Sequence, residues 1–474
     1  MSRKSAYVIF SIVLVFLILV LTFFFFLYER NSTGQYNLNG SLSNSIRDFL
    51  PFGKNAPLQN LSNLNQQITT QTNEATTSEI IVPALRQIST APVAGAELID
   101  STSTVIQDMV KKTSTNQTIR FVDRSTGHIF DTKKDNMSVE EISNTTIPKV
   151  YESFFSSNPD IAIFRSLDEG SDTIVSKEAY LAKPTNSTTT DSTQATTTAT
   201  SSIVAPIIYS GTPYVTKTSI LPTDIESMAV APSSQRFLYM FSDASGGTFV
   251  LSNLDGTKPV KLYSSPLGQW LVDWPNEKGA VITTKSSGIA NGISLLVDTT
   301  TGVLSKIASG NGLTTLVSPD LSQALVGTSG DGSVPYLNVV TLKNNSTINL
   351  SFRTLPEKCV WSHTEKSTVY CAVPENIPVG TYPDSWYQGL VSFTDNLWKI
   401  NTSTGVSNIA ALFTKGYGKN FDAINLQLSS DDTYLIFTNK SDLILWGYNL
   451  KYQLGGSAGV TTGAPTTSSS TTSS

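Results

Sequence analysis

Five stretches of this 474-residue chain share one design: an apolar strand, a short polar turn and a second apolar strand. They are SMAVAPSSQRFLYMFS (227–242), WLVDWPNEKGAVITT (270–284), TTLVSPDLSQALVGT (314–328), KCVWSHTEKSTVYCAV (358–373) and INLQLSSDDTYLIFTN (424–439). Aligned on Pro232, Pro275, Pro319 and His363 they step by 43, 44 and 44 residues, and the next step, to Ser430, is 67, which implies an insertion. Third and fourth strands follow in most units: GTFVLSNLDG then VKLYSSP, GISLLVDTTTG then LSKIASG, NLWKINTSTG then VSNIAAL. A period of about 40–45 residues with four antiparallel strands per unit is the signature of propeller blades.

Two earlier units precede these. One holds TIRFVDRSTGHIFDTKK (118–134) and VEEISN; the other holds VYESFFSS, DIAIFRSL and TIVSKEAYLA. The last unit (INLQL, YLIFTN, LILWGYNL) has three strands, and Leu85 to Ser89 is the right length to supply its fourth. Pairing the two chain ends removes two sheet edges that would otherwise be exposed. The expected fold is therefore all-β, a propeller of about seven four-stranded blades over 83–454. With Ser318-Pro319-Asp320 and Ser429-Ser430-Asp431-Asp432 before second strands and Trp446 in a third, the chain resembles the WD40-like and TolB-like β-propellers. That resemblance implies architecture and names no activity.

Outside the repeats the chain changes character. Residues 6–28 form an uncharged, almost wholly apolar run of 23 residues, about 34 Å long as a helix and so able to cross a hydrocarbon core of about 30 Å. It exceeds a signal-peptide apolar region of about 7–15 residues and lacks a small-residue cleavage site after it. It reads as a transmembrane signal-anchor, with residues 1–5 cytoplasmic because Arg3 and Lys4 precede the run, and with the propeller on the extracytoplasmic side. Residues 29–82 read as a disordered tether, 184–202 as a Ser/Thr-rich insert and 455–474 as a disordered tail, all too poor in large apolar residues to order themselves. Asn-x-Ser/Thr triplets, among them those at Asn31, Asn60, Asn186 and Asn401, arise readily in so Ser/Thr-rich a chain.

Composition narrows the chemistry. Net charge is −5 with no basic block beyond the N-terminus, so nucleic acid is not an expected partner. Two cysteines and two histidines leave little material for a Cys/His metal site or catalytic pair. No nucleophile-elbow, zincin, P-loop or dinucleotide motif stands in a strand–turn–helix context, and no catalytic residue, metal or cofactor is assigned. His128 and His363 both fall in polar turns, and the acids of Leu167 to Asp172 read as an ordinary turn. Folding 358–373 about Glu365 sets Cys359 opposite Cys371 and Trp361 opposite Val369. Opposed Cβ atoms about 4.5–5.5 Å apart allow a cross-strand disulfide; two facing thiols are the alternative.

The insertion behind the long step is 374–393, PENIPVGTYPDSWYQGLVSF, which joins second and third strands of the sixth unit. Its aromatic Tyr382, Trp386 and Tyr387, stiffened by three prolines, are candidates for a partner-contact surface. The other reading, not exclusive of the first, folds the rings down as a lid over the central channel. The expected function is a membrane-tethered, extracytoplasmic propeller that binds a protein or cell-envelope component through blade-end loops. The alternative is a propeller enzyme acting on a glycan or peptide near the channel mouth.

Overall fold

The structure, a computed structural model, describes residues 82–107, 110–168, 173–182, 207–208, 213–330, 332–413 and 419–452, and of 101–107, 110–115 and 207–208 the backbone alone. The expected anchor, most of the tether, the 184–202 insert and the 455–474 tail lie outside these residues. Among the described residues no helix is long and apolar enough to cross a membrane.

The described strands form seven sheets, antiparallel but for one short strand of blade 1. Blade 1 takes four strands from 93–107, 110–123, 129–133 and 139–143, blade 2 from 150–155, 161–167, 174–182 and 215–220, blade 3 from 227–265, blade 4 from 270–311, blade 5 from 314–317, 323–328, 336–341 and 346–349, and blade 6 from 359–411. Blade 7 takes three strands from 423–449 and its outermost strand, Leu85–Gln87, from the other end of the propeller sequence. Each blade packs on the next and blade 7 on blade 1, so the ring closes. The all-β, seven-bladed propeller read from the repeat is thus the observed architecture.

Each blade is sandwiched between two others, so both faces of its central strands must be apolar. Along Phe237-Leu238-Tyr239-Met240, the first and third side chains pack in the seam with blade 2, the second and fourth in the seam with blade 4. Along Tyr434-Leu435-Ile436-Phe437 the same alternation serves the seams with blades 1 and 6. One buried cluster fills each of the seven seams. Small residues appear where neighbours approach: a Cβ on Gly447 would stand 2.2 Å from the Tyr434 hydroxyl.

The closing strand pairs Leu85 with Tyr448, Arg86 with Gly447 and Gln87 with Trp446. Leu85 and Ile88 are buried in two different seams. The fully buried Arg86 guanidinium donates to the Tyr434 hydroxyl at 3.0 Å, to the Lys133 carbonyl at 2.7 Å and to the Asn136 carbonyl, tying blade 7 to an outer turn of blade 1. Truncation through Ser89 should therefore destabilise the propeller far more than truncation through Ser78, since loss of each buried aliphatic side chain alone costs about 2–5 kcal/mol. Thermal denaturation of the two proteins checks this, and equal melting temperatures would show that the ring does not depend on its closing strand.

Hairpin 359–374 has the expected register, Cys359 opposite Cys371 and Trp361 opposite Val369, and the two cysteines are joined by a disulfide with Cα atoms 4.0 Å apart. The bond lies buried in the seam between blades 5 and 6. Three features depart from the simple repeat. The first strand of blade 1, Val93–Gln107, pairs with Val110–Asp123 over a ribbon much longer than any other blade hairpin. The repeat as read from the sequence gives this unit no strand before Thr118. Ile207–Ile208 adds a fifth strand to blade 1, running parallel to Val139–Glu140. Third, the insertion in blade 6 is ordered throughout.

Candidate functional site

In an antiparallel blade, connections after the second and fourth strands emerge at one end of the ring, the others at the opposite end. The 374–393 insertion follows a second strand, Thr368–Pro374, and so shares its face with loops 285–290, 329–335 and 440–443. It bonds to all three. The Asp384 carboxylate accepts from the Ser287 hydroxyl at 2.8 Å and the Gly288 amide at 2.6 Å; the Tyr382 amide donates to the Gly332 carbonyl at 2.7 Å; Lys440 donates to the Trp386 carbonyl at 2.8 Å. Against the raising effect of burial, those Gly288 and Ser287 bonds hold the Asp384 carboxyl below the usual range. The insertion is therefore a strap from blade 6 to blades 4, 5 and 7.

Its rings make the strap rigid. A single helical turn, Asp384–Tyr387, sets Trp386 inward. Tyr382 and Trp386 are 0% and 3% exposed and stack on Phe393 with centroids 5.9 Å away in each case. Beneath them lies a fully buried Lys358, whose ammonium meets Asp422 at 2.6 Å, Asp395 at 2.8 Å and the Ala423 carbonyl at 3.0 Å. It also sits 5.1 Å from the Trp386 ring centroid and 5.2 Å from that of Phe393, within cation–π range. Asp422 in turn accepts from the Trp386 indole at 2.9 Å, the Phe393 amide at 3.0 Å and the Ser392 hydroxyl at 3.1 Å. Burial pushes the Asp395 carboxyl up to about 6 despite Lys358, whereas at Asp422 burial is outweighed by Lys358 and the bonds from Phe393 and Trp386 together, which hold the carboxyl below its usual range.

Of the three aromatic residues read as candidates for partner contact, Tyr382 and Trp386 have their rings buried within the strap. Tyr387 is 38% exposed, and its hydroxyl turns toward the channel, donating to Glu357 at 2.5 Å. Among the exposed residues of the strap, beside polar ones such as Glu375, Asn376 and Gln388, are Val379, fully exposed, and Leu390, 72% exposed, with Ile289 (82%) on the adjoining loop. Sequence reasoning passed over these residues because an exposed aliphatic side chain has no signature until its neighbours are known.

Below the strap the channel is walled by first strands. An upper cavity of about 370 Å³ is lined by Asp273, Thr283, Thr314, Glu357, Tyr387 and Asn425 among others. A second, of about 260 Å³, is lined by Glu97, Ser153, Trp274 and Gln427, and the two share Val272 and Asp273. Burial pushes the Glu97 carboxyl up to about 7, and pushes those of Asp273 and Glu357 above the usual carboxylate value. Asp273 and Glu357 keep surface open to the lumen while protein surrounds them, so each charge lacks bulk water around it. The two histidines are elsewhere: His128 contacts Glu141 at 2.6 Å in blade 1, and His363 lies in a turn held by Asp432. Among the described residues no group of three His, Cys, Asp or Glu stands close enough to hold one metal ion.

The fold and its lidded channel place the chain in the class of seven-bladed β-propellers. No family model matches it, and no curated protein does. Solved structures that resemble it include TolB from Acinetobacter baumannii, with 10% identity, a TM-score of 0.37 and 60% of this chain covered. The match spans 59% of that TolB chain. Others are an oligogalacturonate lyase in complex with manganese (9% identity, TM-score 0.38, 75% of this chain and 98% of that one) and a functionally unknown protein from Desulfotomaculum acetoxidans (15%, 0.39, 70% and 89%).

Proposed function

We propose that this protein is a membrane-tethered, extracytoplasmic scaffold that binds a protein or cell-envelope component through the strapped face of its propeller. The observation that carries the reading is the strap itself. A regular blade does not need it, a network of buried charges and stacked rings holds it in place, and it presents Val379 and Leu390 beside Ile289 to the outside. Long connections that a fold does not require tend to be functional, and an apolar centre with a polar surround is the usual anatomy of a contact surface. The apolar run at 6–28 supports the tether.

The test uses the full chain in its own cell, with in-cell crosslinking of the native protein and of Val379→Asp and Leu390→Asp. Both side chains are exposed, so the variants should keep the native melting temperature while losing the crosslinked partner; a charge in an apolar contact removes about 2 kcal/mol or more of binding. Unchanged recovery by both variants would refute the strap as the contact surface. Deleting 6–28 should move the protein from the membrane to the soluble fraction, and continued sedimentation with membranes would refute the tether. A second reading, an enzyme at the channel, draws on Glu97 and Asp273 lining one cavity. It requires glycan or peptide turnover that Glu97→Gln abolishes.

A further inference from the structure

Among the described strands, the outermost edge of every blade is short, charged, kinked or covered. Leu85–Gln87 in blade 7 and Ser346–Asn349 in blade 5 have three and four residues. Lys217, Lys261 and Lys306 stand in the outermost strands of blades 2, 3 and 4. That of blade 6, Ser407–Ala411, pairs through a register shift, and Ile207–Ile208 runs along that of blade 1. These are the devices by which natural sheets prevent edge-to-edge association.

The long ribbon of blade 1 has none of them. Its register runs without a shift from Gly95 opposite Val122 to Gln107 opposite Val110. The next strand of the blade reaches only as far as Thr118, opposite Lys133. From Ser101 opposite Asn116 to the tip, seven residue pairs, about 24 Å of ribbon, therefore stand without a third strand, and no described strand pairs with the far edge of Ser101–Gln107 or of Val110–Thr115. This stretch contains no proline and no glycine, and its charged residues, Asp108, Lys111 and Lys112, cluster at the tip. A two-stranded ribbon is marginally stable at best by itself, and added strands supply what it lacks.

The register of the ribbon points to the strand it accepts. Ser101-Thr102-Ser103-Thr104 lies opposite Thr113-Ser114-Thr115-Asn116, so the chain already pairs this sequence antiparallel with a near copy of itself. The far edge of Ser101–Gln107 lies on the channel side of the blade, whereas that of Val110–Thr115 lies on the outer side, where another molecule can approach. We propose that the outer edge of Val110–Thr115 pairs antiparallel with the same edge of a second copy of this chain, making one four-stranded sheet across a two-fold dimer. A two-fold axis at Ser114 sets Thr113 opposite the second copy's Thr115 and Lys112 opposite its Asn116, so no like charges meet. First-to-second-strand connections emerge at the end of the ring away from the strap, and the dimer leaves the strapped face open.

The experiment is oxidative crosslinking of the full-length protein in intact cells. The two native cysteines are already joined, so Ser114→Cys introduces a free thiol at the two-fold axis, where opposed Cα atoms about 4.5–5.5 Å apart permit a disulfide. A covalent dimer is expected from Ser114→Cys and none from Thr347→Cys, on the exposed outermost strand of blade 5. Adding Thr113→Lys and Thr115→Lys to Ser114→Cys sets lysine opposite lysine at two places and should cut the dimer yield at least about fivefold. Adding Thr113→Lys with Thr115→Glu instead sets lysine opposite glutamate and should restore the yield. These positions lie beyond the third strand of the blade, so the variants should keep the native melting temperature. Absence of a dimer from Ser114→Cys overturns the proposal. So does a yield that the two lysines leave unchanged, which marks dimerisation elsewhere in the chain, or a crosslink to a different protein in place of a second copy, which assigns the edge to that partner.

Discussion

Lys358→Met should destabilise the propeller by about 3–5 kcal/mol, because it leaves Asp395 and Asp422 buried without their shared cation. The lysine is fully buried and within 2.8 Å of both carboxylates, so water cannot take its place. The deficit should depend on pH. The Asp395 carboxyl already sits near 6 with Lys358 present, and removing that charge raises it further. A carboxyl whose value in the folded state lies above its unfolded value contributes stability at low pH and loses it as pH rises through the folded value. The variant should therefore be least stable relative to the native protein at pH above that value and should recover part of the deficit as pH falls toward the ordinary carboxylate range. Chemical denaturation across that range measures both effects. A variant as stable as the native protein at every pH would mean that the triad does not hold the strap.

Trp386→Ala should cost about 3–5 kcal/mol through the cavity it leaves. The indole also donates to Asp422 at 2.9 Å, stacks on Phe393 and lies under the Lys440 ammonium at 5.0 Å. A surface ring truncated in the same way would leave the fold nearly unchanged, so thermal stability separates a lid from a contact anchor. Recovery of the crosslinked partner adds a second axis. Loss in proportion to unfolding identifies Trp386 as support for the strap, while full stability with lost recovery would return the ring to the contact surface and contradict its burial.

Much of the architecture was legible because it is local or periodic. The disulfide hairpin is a 16-residue segment, 358–373, in which alternation alone opposes Cys359 and Cys371. The blades repeat one hairpin, so each supports the reading of the next. Even the closing strand at Leu85 could be read, from a three-stranded last blade. Val93–Gln107 was not legible because its apolar half, where Val93, Ala94, Ala96 and Leu98 pack in the seams on either side, runs on into the polar Asp100–Thr104 stretch with no turn residue to bound a strand. The parallel strand Ile207–Ile208 is too short to signal itself.

The candidate site was legible only as a segment. The insertion 374–393 stands out by its length and aromatic content, but which way its rings face depends on Lys358, Asp422 and Lys440, whose charges meet it only after the ring has closed. The channel carboxylates are more remote still: Glu97, Asp273 and Glu357 lie in three different blades and share a lumen because the propeller brings its first strands to one axis. Sequence by itself determined the blade period, the register of the 358–373 hairpin and the opposition of its two cysteines, because alternation of apolar side chains and short turns decides these over distances of a few residues. Tertiary structure alone decided the burial of Tyr382 and Trp386, the aliphatic surface of the strap and the charge of the lumen, because each depends on desolvation and pairing between groups that only the closed ring brings together.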